Sequence, residues 1–287
     1  MTIRHILVPI RGDGKGEGVL DNALCFGRRF NTHLDVVHCR PRPEDLIPFG
    51  VSVPALLKKT ILDSAGGLAD EEERKVKDLF ANYCQRNQLT VVEQPPWPED
   101  QISISWREKT GKQAAIVALY GRLADLIVVA QPDRERNLGM NTLEAALLET
   151  GRLVLMSPPT PVTTCGDHVA VAWNGSCEAA RAVAMALPIL AAAGSVTIVS
   201  MSDQEPPALG PDDLKDYLAS HGISAATESR RSKPTEVGGA LLDAVKSVGA
   251  DVLLMGAFGQ ARRRELVMGG VTQHLMDHAD VPVLLVH

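Results

Sequence analysis

An internal repeat constrains the fold of this chain more than any other feature. Residues His5 to Gly12 resemble His168 to Gly175, and Ala124 to Ala130 resemble Ala250 to Gly256. The second pair lies closer together because residues 40–64 lengthen the first copy. The chain has 287 residues, about twice the commonest domain size. The sequence therefore predicts one domain that is present twice.

Each copy begins with a buried strand, a turn, an amphipathic helix and a second buried strand. In the first copy these strands are Ile3 to Ile10 and Leu34 to Cys39. This order is typical of parallel α/β sheets. We expect an α/β protein with two tandem doubly wound domains, each a five-stranded parallel sheet between helices. The predicted bounds are 1–158 and 167–287, with a proline-rich linker over 159–166.

The remaining elements are less regular in sequence. Residues 40–64 contain several prolines and are predicted to be irregular, whereas 68–87 have a helical pattern with an acidic start. Val91 and Val92 suggest the third strand of the first copy. In the second copy, apolar runs mark four strands and leave the third without an assigned segment: His168–Trp173, Val196–Met201, Ala250–Met255 and Val281–Val286.

Composition excludes several classes of partner. Lys+Arg number 29 and Asp+Glu 35, a net charge of −6, and a nucleic-acid binder needs a basic face. No apolar run reaches the roughly 20 residues of a membrane span, and Met1 to His5 lacks a signal-peptide pattern. The five cysteines are widely spaced and odd in number, which favours a reducing cytoplasm and inert thiols. We therefore expect a cytoplasmic protein without nucleic-acid or membrane partners.

A glycine-rich stretch after the fourth strand of the second copy carries the most chemical information. Four glycines lie there, in two pairs that nine residues separate: Gly256 and Gly259, then Gly269 and Gly270. Glycine allows close approach of a backbone, and a helix N-terminus presents free N–H groups to an anion. With Asn174, which follows the first strand, they would line the crevice beyond the strand ends. The pattern indicates a phosphate or nucleotide site, although the glycines could instead only shape turns.

These residues together resemble the universal stress protein family. The resemblance rests on the Gly256-x-x-Gly259-x9-Gly269 spacing, the opening strand Ile6 to Ile10, the turn Asn174 to Ser176, and the duplication. It covers nearly all of both copies, so the chain resembles a tandem universal stress protein. The implied fold is that of the adenine nucleotide alpha hydrolase-like proteins.

The resemblance also implies a nucleotide site in the second copy, for ATP or AMP, with Mg²⁺ only as the companion of the nucleotide. Met201 would face adenine, Asn174 takes the position of a ribose-binding aspartate, and the four glycines would hold phosphates. Ala172 and Val271 complete the predicted site. The family pattern has Ser or Thr where this chain has Gly270, which removes about one hydrogen bond. Asn174 lacks the charge-assisted strength of a carboxylate.

The first copy departs further from the family pattern. Arg11 occupies the aspartate position, and Ala130 to Asp133 contain no glycine pair. We therefore predict that the first copy lacks the site and serves as a structural partner. The resemblance implies that the edge strands Val154–Met156 and Val283–Val286 pair antiparallel, so that one chain mimics the usual dimer. Association of two chains into a homodimer remains open.

Three functions compete at this point. The sequence offers no convincing general base, nucleophile or metal site, which favours a non-catalytic, nucleotide-responsive stress regulator. The alternative is a structural or protein-interaction module without a ligand, whose protein partners are unknown. Slow ATP hydrolysis or autophosphorylation is a third, for which no residue can be named.

Three other motifs are weaker indicators of function. The glycine run from Gly12 to Gly18 resembles a dinucleotide fingerprint but has Glu17 where a glycine is needed. His274 and His278 have a metal-like spacing but no third ligand, and their place near a helix C-terminus suits the helix dipole. Arg262 to Arg264 could face phosphates or solvent.

Overall fold

The protein is represented by a computed structural model that describes most of the chain. The described residues are 2–40, 42, 55–133, 135–136, 138–160, 162, 164–202, 209–233, 235–257 and 270–287, with backbone alone for 55–69 and 202. The strands are β1 His5–Ile10, β2 His33–Arg40, β3 Thr90–Val91, β4 Ser103–Thr110, β5 Leu126–Ala130, β6 Leu153–Ser157, β7 His168–Trp173, β8 Ser195–Ser202, β9 Ala225–Arg231, β10 Val252–Gly256 and β11 Val283–Val286. The helices are α1 Gly16–Phe30, α2 Ala55–Asn87, α3 Gln113–Tyr120, α4 Met140–Glu149, α5 Cys177–Ala192, α6 Pro211–Ser220, α7 Val237–Val248 and α8 Gly270–His278.

The strands form one continuous sheet in the order β3-β4-β2-β1-β5-β6-β11-β10-β7-β8-β9. Neighbours within each half run parallel, which confirms the predicted α/β class. Helices cover both faces of the sheet. One apolar core lies under α1, α2, α5 and α6, and the other under α3, α4, α7 and α8. Since α1 and α4 follow neighbouring strands onto opposite faces, each half is doubly wound.

The two halves join where β6 and β11 pair antiparallel, as the family resemblance implied. Leu155 lies opposite Leu284 in this register, and both are fully buried. Each strand would otherwise be an exposed sheet edge, which invites aggregation. The predicted bounds 1–158, 159–166 and 167–287 stay a prediction, since the sheet itself crosses the seam.

The structure differs from the expected elements in three places. Helix α2 begins at Ala55, so residues 55–64 are helical rather than irregular, while 43–54 lie outside the described residues. The strand predicted near Val91 is β3, which has only two residues and lies at the sheet edge, whereas β4 was not predicted, so the described part of the first half has six strands rather than five. In the second half the unassigned third strand is β9. Both missed strands are rich in charged residues because they lie at or near an edge, where side chains reach water.

None of the helices within the described part of the chain is long and apolar enough to cross a bilayer.

Candidate functional site

The predicted site residues gather at the carboxyl ends of three neighbouring strands of the second half. Asn174 directly follows β7, Met201 lies one residue from the end of β8, and Gly256 ends β10. Because β10, β7 and β8 are adjacent and parallel, these three positions share one edge of the sheet. Ligands of open α/β sheets bind at such an edge. Gly259 and Gly269 lie outside the described residues, as do Arg262 to Arg264.

Three of the predicted residues form a half-buried apolar surface at this edge. Ala172, Met201 and Val271 are each partly exposed, and each packs against the core under α7 and α8. They therefore lie on the same face of the sheet. A half-buried apolar surface beside polar groups suits a flat, mostly apolar ring.

Helix α8 begins at Gly270, beside this surface. Gly270 is exposed, and a Cβ placed on it would meet nothing within 4 Å. The first N–H groups of a helix have no acceptor within the helix, and the helix dipole gives them partial positive charge. The start of α8 can therefore accept an anion such as a phosphate.

Gly256 has a packing role that the sequence could not show. A Cβ at this position would lie 2.5 Å from the backbone nitrogen of Ala179 and 2.5 Å from the carbonyl carbon of Glu178. Both atoms belong to the first turn of α5, which lies directly against the end of β10. Glycine at this position lets α5 approach the end of β10. This packing explains why residue 256 is a glycine, and no ligand is needed to explain it.

Asn174 is exposed and shapes the turn that leads into α5. Its side-chain oxygen accepts a hydrogen bond from the backbone N–H of Ser176 at 3.1 Å. Ser176 in turn caps α5, because its hydroxyl accepts from the N–H of Ala179 at 3.2 Å. The turn brings the Asn174 amide to the strand edge, where its NH₂ group can donate to a ligand hydroxyl.

The corresponding crevice of the first half is lined differently. Arg11 follows β1 and donates to the Thr142 hydroxyl at 2.8 Å. Lys15 donates to the Gln131 carbonyl at 3.0 Å and lies 3.9 Å from the Asp133 carboxylate. These cationic side chains border a narrow cleft at the ends of β1 and β5. Where the family resemblance implies a ribose-binding carboxylate, the first half has a guanidinium that is already hydrogen-bonded to the protein.

A buried polar cluster lies at the opposite, amino end of the first half's strands. Asp35 is 2% exposed and accepts from Arg107 Nε at 2.9 Å and from the Ser105 hydroxyl at 3.2 Å. His33 is hydrogen-bonded to the hydroxyls of Ser103 and Ser105 and stacks on a tryptophan ring. His5 lies 3.7 Å from Asp35. Because its members are mostly inaccessible, this cluster stabilises the fold rather than binding a substrate.

The histidines of this cluster make the protein less stable in mild acid. Burial, with smaller contributions from His5 and Arg107, lowers the pKa of His33 from 6.5 to about 3. Burial also lowers the pKa of His5, although Asp35 opposes this. Below pH 6.5 these histidines are therefore protonated in the unfolded chain but not in the folded one. The free energy of unfolding is highest above pH 6.5 and decreases as the pH falls. His33 should remove up to about 1.4 kcal/mol per pH unit below that value, and the lowered pKa of His5 adds a loss of the same sign.

Urea unfolding at pH 7.5, 6.5 and 5.5 measures this loss. A His33→Asn variant removes one of the titrating groups and should show a shallower fall between pH 6.5 and 5.5. An equal slope in both proteins would contradict the assignment to His33.

The histidine pair of α8 is a packing feature. The rings of His274 and His278 stack at 4.3 Å, and His278 Nδ1 is hydrogen-bonded to the His274 carbonyl at 2.9 Å. A Cβ on Gly238 of α7 would lie 2.7 Å from His274 Cβ, so His274 fills the contact between the two helices. Within the described ranges, no group of three or more metal-ligating side chains occurs.

Comparison with known proteins agrees with this architecture. Residues 167–287 match the family model described as the universal stress protein family. The second half of the chain is a universal stress protein domain. This domain contains the strand edge formed by β7, β8 and β10, together with α8.

Solved structures extend the likeness to the whole chain. A universal stress protein from Archaeoglobus fulgidus DSM 4304 has a TM-score of 0.68 at 15% identity, and the match covers 98% of this chain and 97% of that one. A protein of unknown function from Pseudomonas aeruginosa PAO1 has a TM-score of 0.58 at 16% identity, covering 99% and 92%. At these identities the comparison shows the fold alone. A search of curated protein sequences finds no match.

Proposed function

We propose that the universal stress protein domain of this chain binds an adenine nucleotide, ATP or AMP, and that the protein is a non-catalytic regulator of a stress response in the cytoplasm. The observation that carries the proposal is the half-buried apolar surface of Ala172, Met201 and Val271 beside the open start of α8. An apolar surface next to a phosphate-sized anion site matches the two ends of a nucleotide.

Each end of the nucleotide has its own residues in this proposal. Adenine would lie on Ala172 and Met201, and the Asn174 amide would bond a ribose hydroxyl. The phosphates would lie at the N-terminus of α8 near Gly270, with Gly259 and Gly269 on the segment that leads there. Mg²⁺ would bind only with the nucleotide phosphates. Gly256 would act indirectly, by letting α5 pack against β10.

The first half supports a second, structural role. It contributes β6 to the sheet and so covers the edge of β11, which a single domain would cover with another subunit. Its own crevice is crossed by the bonded Arg11 side chain. We propose that the first half is a structural partner of the nucleotide-binding half. Association of two chains, or with other proteins, would then use other surfaces.

Nucleotide titration of the full chain tests the proposal. Isothermal calorimetry with ATP and with AMP should show one site per chain. Gly270→Asp should weaken the affinity about 10-fold or more, because a carboxylate at the start of α8 repels phosphate and competes for its N–H groups. The same change should leave the fold intact or stabilise it by about 0.3–1 kcal/mol, since acidic residues suit a helix N-terminus.

A matched change in the first half provides the control. Arg11→Ala removes the cation from the other crevice and should leave nucleotide affinity unchanged. Absence of binding heat and of any thermal shift with both nucleotides would reject the nucleotide proposal and favour the structural module. Equal affinity of Gly270→Asp and the unchanged protein would remove α8 from the site.

A further inference from the structure

Two cysteines that are far apart in sequence meet where the halves join. Cys25 lies in α1, and Cys165 lies shortly before β7. The two thiols are close enough for each to shift the pKa of the other. Nothing in the cysteine spacing indicated this contact, and a reactive pair would depart from the expectation that all five thiols are inert.

Other contacts place Cys165 along the same face of α1. Its sulfur lies 3.9 Å from the Asn22 side-chain oxygen, and its carbonyl accepts from Arg29 Nη1 at 3.0 Å. Asn22, Cys25 and Arg29 are spaced by three and four residues, which puts them on one helix face. Cys25 therefore lies between the two α1 residues that hold Cys165, so the pairing does not depend on one flexible side chain.

The two thiols differ in access and in acidity. Cys165 is 2% exposed, whereas Cys25 is only partly buried, so a reagent from solvent reaches Cys25 first. The neighbouring Cys165 thiol lowers the pKa of the Cys25 thiol, and Arg29 acts in the same direction. Burial raises the pKa of Cys165. The accessible cysteine is thus the one whose thiolate is favoured.

We propose that Cys25 and Cys165 are a modification site, at which a hydroperoxide converts the two neighbouring thiols into an intrachain disulfide. The Cys25 thiolate attacks one peroxide oxygen, forms a sulfenic acid and releases an alcohol, or water in the case of hydrogen peroxide. The Cys165 sulfur then attacks the sulfenic sulfur and water leaves. Two thiols and one hydroperoxide give one disulfide, one alcohol and one water.

The disulfide would join the two halves at a second place besides the β6–β11 pairing. Arg29 already connects α1 to the start of the second half, since it donates to Asp167 and to the Ala192 carbonyl, both at 2.9 Å. A covalent bond beside it would close a loop of roughly half the chain, and long loops gain the most from cross-linking. Oxidation should therefore raise the melting temperature.

Peroxide treatment of the full chain, followed by alkylation under denaturing conditions and mass spectrometry, tests the proposal. The oxidised monomer should lose about 2 Da, the mass of two hydrogens, and regain it with dithiothreitol. Two of the five thiols should escape alkylation, and one peptide pair should contain Cys25 linked to Cys165. Cys177→Ser removes an exposed thiol and should leave this result unchanged, whereas Cys25→Ser and Cys165→Ser should abolish it.

Three results would overturn the proposal. They are five alkylatable thiols after treatment, a cross-link between any other cysteines or between chains, and stable sulfinic acid on Cys25 with Cys165 still alkylatable. The peptide pair is read in the unsubstituted protein, so the test does not depend on the folding of a variant. Nucleotide binding does not enter any of these readouts.

Discussion

Gly256→Ala is expected to lower the free energy of unfolding by about 3 kcal/mol. The added Cβ would lie 2.5 Å from backbone atoms of Ala179 and Glu178, and backbone cannot move aside as a flexible side chain can. Either α5 must shift away from β10 or the strand end must distort, and both changes separate buried apolar surfaces. Urea or thermal unfolding of the full chain measures the loss.

Gly270→Ala is the matched control for this prediction. A Cβ on Gly270 would meet nothing within 4 Å, and the residue is the first of α8. The free energy of unfolding of the Gly270→Ala variant should be unchanged or up to about 1 kcal/mol higher, because alanine reduces the conformational freedom of the unfolded chain. Equal losses in both variants would contradict the packing role of Gly256.

Asp35→Ala is expected to cost about 2–3 kcal/mol, because the change removes a buried carboxylate that accepts from a partly exposed guanidinium and a buried hydroxyl. Arg107 would lose its carboxylate at 2.9 Å, and the Ser105 hydroxyl and His5 would lose a hydrogen-bond or charge partner. Ser105 is 1% exposed and its hydroxyl cannot recover water, whereas Arg107, whose side chain is 36% exposed, can do so in part. The measurement is again the free energy of unfolding at neutral pH.

An exposed carboxylate supplies the comparison. Asp70 pairs with Arg40 at the surface, and its side chain is 58% exposed. Asp70→Ala should cost no more than about 1 kcal/mol, as is usual for surface ion pairs. A loss at Asp35 as small as that at Asp70 would show that the buried cluster does not stabilise the fold.

The sequence predicted the central part of the sheet well and its edges poorly. Strands such as β1, β7 and β10 are buried on both faces, so their apolar runs are unmistakable. In β4, by contrast, the second half carries Arg107, Glu108 and Lys109, and β9 is mostly exposed. Charged side chains are stable on an edge strand because water reaches them. A search for apolar runs therefore does not detect such a strand.

In the candidate site, too, features that depend on neighbouring residues were predictable, and contacts between distant segments were not. The sequence identified the strand ends and the glycines, because both are local patterns. It could not show why Gly256 is a glycine, since the reason lies in a helix almost 80 residues earlier in the chain. The contact of Cys25 with Cys165 likewise depends on how the halves pack, which no spacing rule contains.

A crystal structure of the full chain grown with excess ATP and Mg²⁺ tests the central claim most directly. We expect one nucleotide per chain, with adenine on Ala172 and Met201 and phosphates at the N-terminus of α8. Nucleotide in the first-half crevice beside Arg11, or no nucleotide density at the second-half site, would contradict it.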